Sequence, residues 1–132
     1  MKGLRPISRF INLTYLFLSS NNLIIMLELD MFSKLKNLYY LDFSNNLVSI
    51  NNNVTYTLTN LYQLNLSSCN ISEFPIILRI ATNLQRLDLS NNKIHGQTPK
   101  WLGAVGRNSL TLLDLSHNFL TSMDKIPWKN LY

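Results

Sequence analysis

The sequence predicts an α/β solenoid, a horseshoe of stacked repeats with a parallel sheet on its concave face. Three observations predict it. The 132 residues include 26 Leu and 18 Asn, while charged residues are only 14%, against roughly 25% in an ordinary globular chain. Asn is a poor helix former, so the pairing makes sense if Leu fills a core and Asn supports recurring turns. A five-point pattern also recurs at intervals of 25, 23, 23 and 26 residues. Within each copy two apolar residues stand two apart, the spacing that turns both toward one face of a strand.

Each element follows from the template L-x-x-L-x-L-x-x-N-x-L of leucine-rich repeats. The copies are Leu13, Leu16, Leu18, Asn21, Leu23; Leu38, Leu41, Phe43, Asn46, Val48; Leu61, Leu64, Leu66, Cys69, Ile71; Leu84, Leu87, Leu89, Asn92, Ile94; and Leu110, Leu113, Leu115, Asn118, Leu120. The ladder position (Asn21, Asn46, Cys69, Asn92, Asn118) falls where the chain must turn. There a side-chain amide can both donate to and accept from backbone groups that the turn leaves unpaired. At Cys69 a small thiol, expected to be buried and structural, takes that place. The rest of each unit returns the chain to the next strand and carries a second apolar pattern: Phe32 and Leu35, Tyr56 and Leu58, Phe74 and Leu78, Trp101 and Leu102, Met123 and Ile126. These should pack behind the strands as short helical or irregular turns. One unit cannot bury both its faces, so neighbours must stack. Residues 12–130 are therefore expected to form five repeats, with 1–11 a partial or atypical N-terminal segment and 131–132 the start of a sixth. Residues 1–18 imitate a signal peptide, but Asn12, Thr14 and Tyr15 interrupt the apolar part and the repeat accounts for them better. No apolar run approaches the ~20 residues of a membrane span.

The net charge of +5 is scattered rather than gathered into the stripe a nucleic-acid binder needs, so nucleic acid is not expected as a partner. A single cysteine rules out an intrachain disulfide and a cysteine-built metal site, and no metal or other cofactor is expected. Asp114, Ser116 and His117 include the residue types of a catalytic triad. The same Asp-x-Ser pairing recurs at Asp42/Ser44 and Asp88/Ser90 without His, so it is read as part of the repeat, and no enzymatic activity is expected. The functional surface should be the exposed columns of the concave sheet: Tyr15, Phe17, Tyr39, Tyr40, Tyr62, Gln63, Gln85, Arg86, Thr111 and Leu112, with aromatics crowding the N-terminal half. Tyr suits recognition because it offers rigid contact area with a hydrogen-bonding tip. The Asp42, Asp88 and Asp114 column is read as structural. Sequons for N-glycosylation begin at Asn12, Asn53, Asn65 and Asn70, in a number that chance also produces in a chain this rich in Asn, Ser and Thr.

Leu87-Asp88-Leu89-Ser90-Asn91-Asn92-Lys93-Ile94-His95-Gly96-Gln97-Thr98-Pro99 resembles the plant extracellular repeat L-D-L-S-x-N-x-L-x-G-x-I-P. Leu113-Asp114-Leu115-Ser116-His117-Asn118 resembles its first half. The stretch Asn65 to Pro75 and the ending Ile126-Pro127-Trp128-Lys129-Asn130-Leu131 look like plant receptor-like proteins of the disease-resistance type. Only the fourth copy has the Gly-x-x-Pro tail, with Thr98 in place of Ile. The resemblance implies a non-enzymatic segment of a cell-surface receptor in immune or developmental signalling. It also implies a protein or peptide ligand, a co-receptor kinase as a further partner, and a location on the extracellular face of the plasma membrane. Similar plant repeats inhibit cell-wall-degrading hydrolases, which is the alternative, together with a truncated product that has no function of its own. The cysteine-bearing caps of that family are missing from this sequence, so a fragment is expected. Leu13, Leu16 and Leu18 at one end and Leu110, Leu113 and Leu115 at the other should then be partly uncovered.

Overall fold

The computed structural model describes residues 2–3, 9–28, 34–51, 59–75, 77–102 and 110–122. Its centre is a five-stranded parallel sheet in the order β2 (Tyr15–Phe17), β4 (Tyr40–Asp42), β6 (Gln63–Asn65), β7 (Arg86–Asp88), β9 (Leu112–Asp114). The register advances by one repeat per strand, so Leu16, Leu41, Leu64, Leu87 and Leu113 lie side by side. A three-residue strand directs its middle side chain to one face and its flanking residues to the other. Four of these middle leucines are accordingly at most 1% exposed, while Leu16, on the edge strand, is half-buried.

Beyond the strands the backbone stays in step through the turns. Leu18, Phe43, Leu66 and Leu89 donate N–H to the carbonyls of Asp42, Asn65, Asp88 and Asp114 in the next unit. Ser20, Asn45, Ser68 and Asn91 then donate to the carbonyls of Ser44, Ser67, Ser90 and Ser116. The residue before each ladder position (Ser20, Asn45, Ser68, Asn91, His117) has φ between 54° and 57°. That left-handed conformation is one which Asn and His tolerate better than most residues. His117 is therefore a turn residue. Asp114 Oδ1 accepts from Ser116 N at 2.9 Å and from Ser116 Oγ at 2.6 Å. Asp88 holds Ser90 at the same two distances. The Asp-Ser-His grouping is thus a stacked turn.

The returning segments carry the expected short helical or irregular turns at Leu35, Phe74, Leu78, Trp101 and Leu102, and add extended strands before them. α-Helix among the described residues amounts to α1 (Ile77–Ile80) and one turn at 100–102. Much of the remaining return path is extended. β1 (Lys2–Gly3), β3 (Ile24–Glu28) and β5 (Leu47–Asn51) form a second parallel sheet, and β8 (His95–Gln97) pairs in parallel with β10 (Phe119–Ser122). β-Branched residues favour strands there, as at Ile24-Ile25 and Val48, and burial alternates along β3 and β5. Ile25 and Val48 point into the core, while Ile24 and Leu47 are about half exposed. Lys2 pairs with Ile25, one repeat length further along the chain, so residues 2–3 occupy the place of a preceding unit's second strand. Gly96, the glycine of the Gly-x-x-Pro tail, has φ 83° within β8, which a residue without Cβ adopts freely.

The core draws on inward side chains of all three sheets and of the segments between them. Leu35, Leu78 and Leu102 are 1% exposed, and Phe74 and Trp101 pack partly buried against the core. Phe32, Tyr56, Leu58, Met123 and Ile126 lie outside the described residues. At the N-terminal end Leu13, Leu16 and Leu18 are half-buried. At the other end the expectation of uncovered leucines is corrected: Leu110 is half-buried, but Leu113 and Leu115 are at most 5% exposed.

Candidate functional site

The side chains that flank the buried leucine column emerge on the open face of the five-stranded sheet in three columns. Thr14, Tyr39, Tyr62, Gln85 and Thr111 precede the strands, and the N–H of each later member bonds the carbonyl of the one before. Tyr15, Tyr40, Gln63, Arg86 and Leu112 open the strands, and Phe17, Asp42, Asn65, Asp88 and Asp114 close them. Parallel pairing sets neighbouring members about 4.8 Å apart, close enough for rings to meet.

Five rings do meet. Tyr39 and Tyr62 stack at 4.8 Å between centroids with planes 8° apart, and Tyr15 and Tyr40 stack at 4.9 Å. Tyr40 joins the two stacks by edge contacts, at 5.0 Å from Tyr39 and 5.9 Å from Tyr62. Phe17 lies 6.2 Å from Tyr15 and 6.3 Å from Tyr40. Aromatic pairs at such distances contribute about 0.5–1.5 kcal/mol beyond area burial, so the rings hold one another in shape. It nevertheless remains open: Tyr15 is 51% exposed, Phe17 60% and Tyr39 38%. Partial burial, and then the neighbouring phenols of Tyr62, Tyr40 and Tyr15, push the Tyr39 hydroxyl above its ordinary pKa. It therefore stays protonated and able to donate.

A shallow groove runs along the side where the strands begin. It is lined by Thr14, Tyr15, Asn37, Tyr39, Thr59, Asn60, Tyr62, Asn83 and Gln85. All are uncharged, and hydroxyl and amide groups predominate. The other four nominated residues of the C-terminal half do not join the ring cluster. Gln63 is half-buried beside it, Arg86 is exposed and Leu112 is half-buried. Thr111 Oγ1 is engaged with the Gln85 carbonyl at 3.1 Å. The sheet face is therefore aromatic at one end and mainly polar, apart from Leu112, at the other.

The ladder residues are graded. Asn92 is 5% exposed. Its Nδ2 faces the carbonyls of Leu66, Leu89 and Ser90 at 2.9–3.2 Å, and its Oδ1 accepts from Cys69 N and Ile71 N at 2.9 and 3.0 Å. Asn46 and Asn118 repeat this bridge to the preceding unit, through Leu18 O with Leu23 N and through Leu89 O with Ile94 N. Asn21 is exposed and, among the described residues, reaches only Ser19 O, at 3.1 Å. Cys69 replaces the donor half of the bridge, its thiol lying 3.2 Å from Phe43 O. It has no side-chain oxygen to accept with, and Val48 N bonds the Cys69 backbone carbonyl instead. Burial pushes the Cys69 thiol up to about 11, more than backbone hydrogen bonding from Asn46 lowers it. The thiol is thus a poor nucleophile at neutral pH.

A second amide column was missed in the sequence. Asn60 Nδ2 donates to Lys36 O, and Asn83 Nδ2 donates to Thr59 O at 2.7 Å, each again tying one unit to the one before. The signal was the dipeptide Asn-Leu that opens four copies, at Asn12, Asn37, Asn60 and Asn83. Among the sequons, Asn12 and Asn70 are exposed and Asn53 lies outside the described residues. Asn65 is half-buried, with its Oδ1 accepting from Ser67 N at 3.0 Å. Among the described residues no group of three or more His, Cys, Asp or Glu is placed to hold a metal ion, and no helix is long and apolar enough to cross a membrane.

A stacked parallel sheet with a buried leucine column and a ladder of Asn side chains, Cys69 replacing one of them, defines a leucine-rich repeat. Family models described as leucine rich repeat match residues 11–71, 83–105 and 109–131, and the chain belongs to that family. It is also related to a plant receptor-like protein. Over 118 residues it is 43% identical to Receptor like protein 28 of Arabidopsis thaliana, a match covering 87% of this chain and 15% of the relative.

Proposed function

We propose that the open sheet face binds a protein or peptide ligand, as part of a plant cell-surface receptor acting in defence or developmental signalling. The observation that carries this reading is the five-ring platform of Tyr15, Phe17, Tyr39, Tyr40 and Tyr62, preassembled yet exposed. Exposed aromatic clusters of this size are costly to leave in water and are enriched where partners bind. Because the rings already brace one another, a ligand need not order them, which reduces the entropic cost of association. The neutral groove beside the platform supplies amides and hydroxyls for the backbone of an extended ligand. Repeat solenoids use their sheet face in this manner.

On this reading the platform supplies contact energy, and Gln63, Gln85, Arg86 and Thr111, with the apolar Leu112, supply selectivity. Signalling would pass to a partner such as a co-receptor kinase. Glycans at Asn12 or Asn70 would decorate the extracellular surface, whereas one at Asn65 would obstruct the sheet face itself.

The test is to immobilise the chain and a Tyr39→Ala/Tyr62→Ala variant and to challenge both with an apoplastic peptide fraction and with purified fungal cell-wall hydrolases. Peptide retained by the first and lost by the second is the expected result. Retention of a hydrolase with loss of its activity would replace this reading with the inhibitor one. Binding that is indifferent to the two tyrosines would remove the sheet face as the site.

A further inference from the structure

We infer that the ligand presents a cationic side chain, lysine or arginine, to the corner of the platform formed by Phe17, Tyr40 and Asp42. The inference rests on the sheet face being the binding surface. Its starting point is a contrast of charge. The chain carries +5 overall, yet the open-face columns of β2, β4 and β6 contain one charged residue, and it is a carboxylate. No Lys or Arg lies on those strands or in the turns directly after them, 15–22, 40–46 and 63–69. Asp42 is the register partner of Phe17 on one side and of Asn65 on the other. The carboxylate therefore stands next to the most exposed ring of the platform, and Tyr40 is two residues before it on the same strand.

Asp42 does have a structural task, since its Oδ1 accepts from Ser44 N at 2.9 Å. That task does not require a charge. In the next strand Asn65 performs it with an amide oxygen, accepting from Ser67 N at 3.0 Å. A neutral residue would therefore serve the turn at Asp42 too, and the negative charge beside the rings is left over from the structural account. Aromatic faces attract cations through the ring quadrupole, and a neighbouring carboxylate adds a charge-assisted hydrogen bond. The two together select an ammonium or guanidinium group and disfavour an anionic one. The ligand is accordingly a peptide segment with a basic residue close to the apolar or aromatic residues that cover Tyr39 and Tyr62.

The experiment selects linear peptides from a random display library on the immobilised full chain and measures the selected peptides, made synthetically, by calorimetry. The expected pool is enriched in Lys or Arg near aromatic or aliphatic residues. Replacing that basic residue by Gln should weaken binding about five- to tenfold, and raising salt from about 50 to 500 mM should weaken it similarly. Asp42→Asn, which keeps the Ser44 bond, should cost part of that factor and shrink the effect of the peptide's Lys→Gln change without abolishing it, since the rings still attract the cation. Tyr39→Ala/Tyr62→Ala separates the two readings. If selected peptides need these rings but show no basic enrichment and no coupling to Asp42, the cation inference is overturned and the sheet-face reading survives. If no peptide is selected, or binding ignores the rings, both fall.

Discussion

Replacing Asn92 by Ala should be among the most damaging single changes in this chain, and the structure indicates by how much. The side chain is buried and its Oδ1 is the acceptor for two backbone N–H groups of the preceding unit, Cys69 N and Ile71 N. Its Nδ2 serves the carbonyls of Leu66, Leu89 and Ser90. Carbonyls have a second lone pair and can find other donors, but each N–H has one proton and one good partner. Leaving a buried donor unsatisfied costs about 1–3 kcal/mol, so two donors give about 2–6 kcal/mol before the carbonyls are counted. A domain of this size is stable by only about 5–15 kcal/mol in total. Asn21→Ala provides the comparison. It occupies the same template position but is exposed, bonds only Ser19 O among the described residues, and can be replaced by water. Its loss should stay within about 0.5 kcal/mol. Urea unfolding of both variants, followed by circular dichroism and compared at equal m-values, measures the difference. Similar costs at the two sites would refute the account of the ladder as a set of buried backbone bridges whose worth depends on desolvation.

Leu87→Ala should cost about 2–5 kcal/mol, because this leucine is 1% exposed in the middle of the stacked column and its truncation leaves a cavity. Gln85→Ala, two residues earlier on the open face, should stay within about 0.5 kcal/mol in the same urea assay. The Cys69 thiol gives a pH signature. Its folded value of about 11 lies above the ordinary 9.0, so between those two values the unfolded chain holds fewer protons than the folded one. Stability present below pH 9 should then fall as pH rises toward 11, by on the order of 2 kcal/mol. Cys69→Ala should flatten that part of the curve.

Much of this was legible in one dimension. The period, the strand positions and the ladder positions all follow from residues spaced two, three and about two dozen apart, because every unit repeats the same local problem of turning out of a strand. The Asp-x-Ser pairs could be assigned to the turn from recurrence alone, since Asp88 and Ser90 solve it without the histidine that follows Ser116. Which faces of the chain would meet could not be read this way. Ile24 and Leu47 look like ordinary core residues in the sequence, yet they are half exposed on a second sheet, because the return path had to pair in parallel before its burial pattern was set.

The particular members of each column were likewise decided only by stacking. Asn21 and Asn92 are identical in the template, and only the unit in front of each determines whether its amide is buried among backbone groups or open to water. Tyr15, Tyr40 and Tyr62 are more than twenty residues apart in sequence. They form one surface because parallel register sets successive strands about 4.8 Å apart, a distance that no local propensity encodes. Leucine spacing by itself determined that the protein would be a leucine-rich solenoid. The stacking of its units decided which residues would be core, which would be ladder, and which would be left on the open face.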